Sequence, residues 1–178
     1  MTSLTPGTWT LDAVHSDIGL KVRHAGISTV HASFGEAEGT LDVGQNGSLD
    51  VQAVVKTASF DSKNADRDGH VRSADFLDVE TYPEATFRAA QFQAEGEEFE
   101  VTGDLTLRGV TQPVTFEVEF GGQAVDPFGA TRTGFSATAS ISRKQFGLTW
   151  NAALEAGGVL VSDKVTLILD VAFVLSES

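Results

Sequence analysis

Apolar and polar residues alternate with a period of two along most of this chain. Such alternation places one set of side chains on each face of a β-strand, and the period of an amphipathic helix is nearly absent. The clearest case runs from Phe99 to Leu107, where apolar residues and one glycine alternate with polar residues. The same alternation predicts further strands at 18–24, 30–34, 49–55, 114–120, 135–141 and 165–173, and one near Phe87.

These eight or so predicted strands are mostly separated by Gly, Asn or Asp turns, so we expect neighbouring strands to pair antiparallel. One face of each strand is polar, and that face meets water. A sheet of this kind covers its apolar face and removes its edges by closing into a barrel or folding into a sandwich. The pattern therefore predicts an all-β fold and leaves both architectures open.

Only residues 62–80 interrupt the alternation. Ser62 or Asn64 is a suitable N-cap, because both residue types are favoured at the start of a helix. We predict a short helical insertion near residues 64–77, after which Pro83 restarts extended chain. The apolar stripe of this helix consists of Val71, Ala74, Phe76 and Leu77.

Length and charge limit the range of functions. A chain of 178 residues accommodates one domain with a sizeable core, so we expect a single domain over residues 1–178. Twelve basic and 25 acidic residues give a net charge of −13, which favours solubility and argues against nucleic acid or an anionic membrane as a partner. No apolar run approaches about 18 residues and the N-terminus has no leader pattern, so we expect no stable membrane insertion and a cytoplasmic location.

Little in the sequence suggests catalysis. The chain has no cysteine, which excludes thiolate nucleophiles, thiolate metal sites and disulfides. No serine lies in a Gly-x-Ser-x-Gly motif, and carboxylates such as Glu117 and Glu119 fall mostly on polar strand faces. We therefore expect no catalytic residue.

Two groups of residues resemble metal ligands only superficially. Asn64, Asp66, Asp68 and Asp75 imitate the oxygen spacing of an EF-hand loop, but a strand precedes them where the motif requires a helix. The histidines lack the spacing of a metal-binding helix, and two of them could meet only if neighbouring strands aligned them. We expect no metal site. The histidines are His15, His24, His31 and His70.

His24 and the phenylalanines carry more information. The alternation places His24 on an apolar strand face, where it costs free energy unless it is hydrogen-bonded. It is either a structural histidine with a polar partner or a donor to the polar end of a ligand. Twelve phenylalanines supply a large inward surface, which forms either a filled core or the wall of a cavity, since an eight-stranded barrel can hold one small ligand.

Several blocks in order along the chain resemble the YceI-like family, also called polyisoprenoid-binding or lipocalin-like YceI domains. The resemblance extends from about Gly7 to Val174. The blocks are Trp9 to Ile18, which includes His15 and Ser16; Val22 to Val30, with Phe34 after it; Asn64 to Val79, with Tyr82 and Pro83 after it; Gly103 to Val114; and Arg143 to Asn151, which includes Phe146, Gly147 and Trp150.

This resemblance implies an extended eight-stranded antiparallel lipocalin-like barrel with a helical insertion. It also implies an interior channel for long amphiphiles such as polyisoprenoid quinones, frequent homodimers and no established catalytic residues. Many family members are periplasmic. We accordingly expect no cofactor other than a bound lipid, such as a polyprenyl quinone.

Our hypothesis is that the barrel binds, stores or transports an isoprenoid or acyl lipid, with His24, Arg23 or Asn151 at its headgroup. Two alternatives stay open: an enzyme acting on a lipid-like substrate in the same cavity, and a stress-related interaction domain with a filled barrel. The residues expected to line the cavity are Ile18, Leu20, Val22, Phe34, Phe87, Leu105, Phe116, Phe135 and Trp150.

Overall fold

A computed structural model describes residues 4–176, which form one antiparallel sheet and one α-helix. The helix, α1 (Ala65–Arg72), lies between the sixth and seventh strands. In chain order the strands are β1 (Gly7–Leu11), β2 (Asp17–His24), β3 (Ser28–Phe34), β4 (Ala37–Val43), β5 (Leu49–Lys56), β6 (Phe60–Asp61), β7 (Glu84–Phe92), β8 (Glu98–Leu107), β9 (Val110–Val125), β10 (Thr131–Ser142) and β11 (Val161–Leu175).

The sheet closes into a barrel of eight strands. β1, β4, β5, β7, β8, β9, β10 and β11 pair in that order, and β11 pairs again with β1. β2 also pairs with β11, β3 pairs with β2, and β6 pairs with β3, so these three segments extend the barrel lengthwise. Each pair is antiparallel, which confirms the predicted eight-stranded antiparallel barrel.

Three of the eight barrel strands are interrupted, and the interruptions explain the higher number of segments. Short 3-10 turns separate β1 from β2 and β5 from β6, and two residues separate β3 from β4. The strand prediction omitted β1 and β4, although both follow the period of two: Trp9 and Leu11 alternate with threonines, and Leu41 and Val43 alternate with polar residues. In β10 the alternation predicts the inner face correctly, since Phe135, Ala137 and Ala139 are buried.

A dense apolar cluster closes one end of the barrel. Trp9 is fully buried in it, and the indole Nε1 donates a hydrogen bond to the Thr5 carbonyl at 3.0 Å. Because β1 pairs with both β4 and β11, Trp9 is held directly between Leu41 and Leu175. The buried residues of this closing cluster are Leu4, Trp9, Leu41, Val43, Leu49, Phe120, Phe135 and Phe173.

Helix α1 covers part of the opposite end and is shorter than predicted. Asn64 is its N-cap, since its side chain accepts a hydrogen bond from the Arg67 amide at 3.0 Å. The helix ends at Arg72 and not near residue 77, because the amide and hydroxyl of Ser73 both donate to the His70 carbonyl. Phe76 and Leu77 are buried through turns and not through a helical stripe.

The β8–β9 hairpin lies at the same end as α1. Its two-residue turn is Arg108–Gly109, and both residues have a positive φ, which matches the twist of a tight hairpin. Gly109 also lies against Tyr82, where a Cβ atom would approach a ring carbon to 2.8 Å. β9 therefore begins at Val110, directly after the turn, and not after Pro113.

Arg143 fixes the long connection between β10 and β11. The side chain is buried, and its guanidinium donates four hydrogen bonds, of 2.7 to 3.0 Å, to backbone carbonyls. Burial lowers the pKa of this guanidinium, and the nearby Asp163 carboxylate opposes that effect. The acceptors belong to Leu148, Trp150, Val161 and Ser162, so one side chain joins both ends of the connection.

An ion-pair network lies near the closed end. Arg132 donates from Nη1 to Asp12 and from Nε to Asp126, at 2.6 Å each. The hydrogen bond from Arg132, followed by that from His15, lowers the pKa of Asp12 from 3.8 to about 2. Arg132 is likewise the main cause of the lowered pKa of Asp126.

We expect Asp12→Asn to lower the free energy of unfolding by about 1 kcal/mol at pH 7. This is less than the free energy that corresponds to the whole pKa shift of Asp12, because solvent screens the partly exposed carboxylate. Because the pKa of Asp12 is lower in the folded protein than in the unfolded chain, its carboxylate stabilises the fold at pH values above 3.8. This stabilisation is lost as the pH falls towards about 2. Urea unfolding across this pH range should show the two proteins converging in acid. A constant difference would mean that the carboxylate charge does not contribute.

We expect Arg143→Met to lower the free energy of unfolding by about 3 kcal/mol, because it leaves four carbonyls without their buried donor. Lys144→Met removes the same charge from an exposed neighbour and should change stability by less than about 0.5 kcal/mol. Urea unfolding of both variants measures the difference. Equal effects would show that Arg143 acts only through its charge.

Candidate functional site

The barrel encloses a cavity of about 850 Å³. Its wall follows β11 on alternate residues from Val165 to Phe173, and apolar residues of the other barrel strands complete it. Closure of the sheet turns every second side chain inward, so strand parity alone accounts for the apolar wall. The cavity volume lies at the upper end of the range for small-molecule sites.

The cavity is elongated along the barrel. It includes Val161 at one end of β11 and Phe173 near the other. With a rise of about 3.3 Å per residue and a strand tilt of roughly 40°, this segment spans roughly 30 Å along the barrel axis. A narrow volume of that length suits an extended chain better than a compact ligand.

The two ends of the cavity differ in polarity. At the closed end the wall includes apolar residues such as Leu11, Val51 and Phe92, which pack against the closing cluster around Trp9. At the other end the wall includes charged and polar side chains, several of them exposed. We call this end the mouth. The polar residues that β2, the N-cap of α1 and α1 itself contribute to it are Arg23, His24, Asn64, Asp66, Arg67 and His70.

The mouth lies between the β2–β3 hairpin and α1. β6 pairs with only Ser33 and Phe34 of β3, so the rest of β3 is a free edge beside the helix. The two arginines of the mouth are oriented by local contacts. Arg23 donates to the Gly26 carbonyl at 2.9 Å, and Arg67 donates to the Ser62 carbonyl at 2.9 Å.

The two histidines of the mouth have different surroundings. His70 forms a hydrogen bond of 2.9 Å with Asp75, and its ring packs edge-on against Trp150 at 4.5 Å and Phe76 at 5.1 Å between centroids. His24 is half-buried on the cavity wall, and its ring forms no hydrogen bond with another residue in the range 4–176. His24 therefore has a free polar edge at the boundary between the apolar wall and the polar mouth.

The structure places the nine residues expected to line the cavity on its wall, from Ile18 to Trp150. Arg23 and His24 lie at the mouth. Asn151 differs, because it lies off the wall: its side-chain amide binds the Val161 backbone through both its nitrogen and its oxygen. His31 pairs with Lys21 on the outer face of the barrel, so it does not meet His24.

Sequence reasoning missed four polar residues of the mouth, Asn64, Asp66, Arg67 and His70, as candidate residues for the headgroup end. Asn64, Arg67 and His70 follow one another by three positions, a spacing that places side chains on one face of a helix. That signal was present in the sequence. It could not be used, because nothing in the sequence shows which end of the barrel the helix covers.

Within residues 4–176, no three His, Cys, Asp or Glu side chains are close enough together to hold a metal ion. In the same range, no helix has the length and apolar character needed to span a membrane.

Comparison with known proteins places the chain in a family. The model of the YceI-like domain matches residues 9–173. A UPF0312 protein of Pseudomonas putida is 43% identical over 137 residues, which cover 75% of this chain and 71% of that protein.

Solved structures show the same architecture. The YCEI protein of Campylobacter jejuni is 30% identical, with a TM-score of 0.72 over 99% of this chain and 100% of the other. A polyisoprenoid binding domain from Saccharophagus degradans has the same fold at 16% identity, with a TM-score of 0.73 over 94% of this chain and 98% of the other. The chain thus belongs to the YceI-like family.

Proposed function

We propose that this protein binds a long amphiphilic lipid inside its barrel, for storage or transport and without catalysing a reaction. The candidate lipids are a polyisoprenoid, an isoprenoid quinone or a fatty-acid derivative. The observation that carries the proposal is the elongated apolar cavity of about 850 Å³ with one polar end. An apolar tail matches the walls, and a polar headgroup matches the mouth.

Burial of the tail supplies the affinity. Each buried methylene contributes about 0.8 kcal/mol, so a tail of four isoprenoid units, at five carbons each, contributes roughly 16 kcal/mol before ordering costs. Those costs amount to several kcal/mol for lost overall motion, together with the torsions of the tail. The balance still favours tight binding, and it makes chain length the main determinant of affinity.

The mouth orients the headgroup. Arg23 is exposed at the rim and Arg67 is half-buried beside it, and the His24 ring can donate or accept a hydrogen bond where the apolar wall ends. A quinone or acyl headgroup carries carbonyl or carboxyl oxygens, which accept hydrogen bonds from such donors. Asn151 is not included, since its amide is occupied by Val161.

The structural relative from Saccharophagus degradans is described as a polyisoprenoid binding domain, and that description supports an isoprenoid as the first ligand to test here. The other two hypotheses receive less support. A filled barrel is inconsistent with the cavity. An enzyme needs a reactive group inside it, yet within residues 4–176 the wall beyond the mouth carries no carboxylate or imidazole. A homodimer and a cytoplasmic location stay predictions.

Native mass spectrometry of protein purified under mild conditions tests the proposal directly. We expect one copurifying lipid per barrel, which organic extraction identifies as a polyprenyl or long acyl species. The same spectra report whether the protein is a dimer. Protein that is empty and also takes up no added quinone or fatty acid would contradict the proposal.

We expect Leu20→Glu with Leu105→Glu to abolish lipid uptake. The two leucines line the cavity on opposite walls, because four strand steps separate β2 from β8 around the eight-stranded ring. Two carboxylates in the tail's path must stay hydrated, which opposes burial of an apolar chain. Uptake is measured by quenching of tryptophan fluorescence as a quinone is added.

Matched variants separate this effect from unfolding. Ser136→Glu with Ser140→Glu adds the same two carboxylates on the outer face of β10 and should leave uptake unchanged. Ala53→Phe adds no charge but narrows the channel, so long tails should lose at least tenfold more affinity than short ones. Normal uptake by the Leu20/Leu105 variant would place the lipid outside the barrel.

A further inference from the structure

Two of the six exposed large apolar residues in the described range lie beside the mouth. Ile27, at the tip of the β2–β3 hairpin, is 82% exposed, and Val159, in the β10–β11 connection, is 51% exposed. Their segments are joined, since the Ala25 amide donates to the Leu160 carbonyl at 2.7 Å. Removing exposed apolar side chains from water is favourable, so contact of Ile27 and Val159 with another apolar surface would lower the free energy.

Charge is distributed unequally between the two halves of the barrel. The strand registers and the segments that connect these strands place residues 20–37, 55–85, 105–113 and 140–166 in the half that contains the mouth. This half holds ten of the twelve lysines and arginines and ten acidic residues. The described remainder, with the closed end, holds two basic and fourteen acidic residues.

The net charge of −13, which over the whole chain argues against an anionic membrane, therefore belongs almost entirely to the closed half. The mouth half is close to neutral, so that argument does not apply to the mouth. An anionic surface repels the closed half and turns the mouth towards itself, because the field of a protein orients it before contact. The basic residues of the mouth half then lie within the range where anionic lipids attract lysine and arginine. Lys21, Arg23, Lys63 and Lys164 are among these basic residues.

We infer that the mouth is a docking surface for an anionic lipid bilayer, with Ile27 and Val159 in the headgroup region. The inference rests on the proposed lipid cargo, which this contact would let pass between bilayer and cavity without crossing water. Two exposed apolar side chains give reversible association and not insertion. The docked orientation also points the acidic closed end into solvent.

Vesicle flotation of the full chain tests this surface, using phosphatidylcholine vesicles with and without phosphatidylserine. We expect binding to the phosphatidylserine vesicles that weakens as salt is raised, since surface charge is screened. Ile27→Asp should lower the bound fraction about tenfold. The matched control is Phe128→Asp, which makes a similar change at a residue that is 94% exposed on the β9–β10 turn, at the closed end. This control should bind like the unaltered protein.

Two results would overturn the inference: no binding to either vesicle, or equal losses in Ile27→Asp and Phe128→Asp. Quinone uptake from detergent micelles, measured on the same samples, tests the cargo separately. Ile27→Asp should still load from micelles, because Ile27 is not on the cavity wall. A protein that docks but never loads would refute the proposed function alone, and one that loads but never docks would refute this inference alone.

Discussion

Strand β11 forms hydrogen bonds along both of its edges, with β10 on one side and with β1 and β2 on the other. This double pairing closes the barrel, leaves an unpaired edge along part of β3, and forces alternate side chains inward. The closed sheet has a fixed circumference. The volumes of the inward side chains therefore decide how much of the barrel interior is filled. The cavity is thus a consequence of closure, and the outer face stays polar by the same alternation.

The distribution of inward volume explains why twelve phenylalanines leave the barrel hollow. Phe120, Phe135 and Phe173 gather with Trp9 at the closed end, and Phe76 and Phe146 pack at the end near α1. Small residues occur on the wall between them, as Gly39, Ala53 and Ala137 do. Large side chains therefore close one end and pack beside the mouth at the other. Between them Phe87 and Phe116 also line the wall, and the small residues leave space for the channel.

Strand parity could be predicted from the sequence because a period of two leaves only two faces to choose between. It placed Leu20, Phe87 and Phe135 on the inner face correctly. Features that depend on tertiary contacts could not be predicted. The closing cluster around Trp9 requires β1 to pair with two strands. The end of α1 depends on the hydrogen bonds of Ser73 to the His70 carbonyl. The role of Asn151 depends on the position of Val161.

The two ends of the channel impose a direction on any amphiphile. At the closed end, a headgroup would have to desolvate against Trp9 and Leu41. The buried donors there, the Trp9 indole and the Thr133 hydroxyl, already bind the Thr5 and Gly122 carbonyls. Desolvation of an unpaired polar group costs several kcal/mol, whereas the mouth offers arginine and histidine donors and open water. If the barrel binds a lipid as we propose, the tail should therefore enter first. The headgroup should then stay beside Arg23 and His24, on the side of the molecule that an anionic surface does not repel.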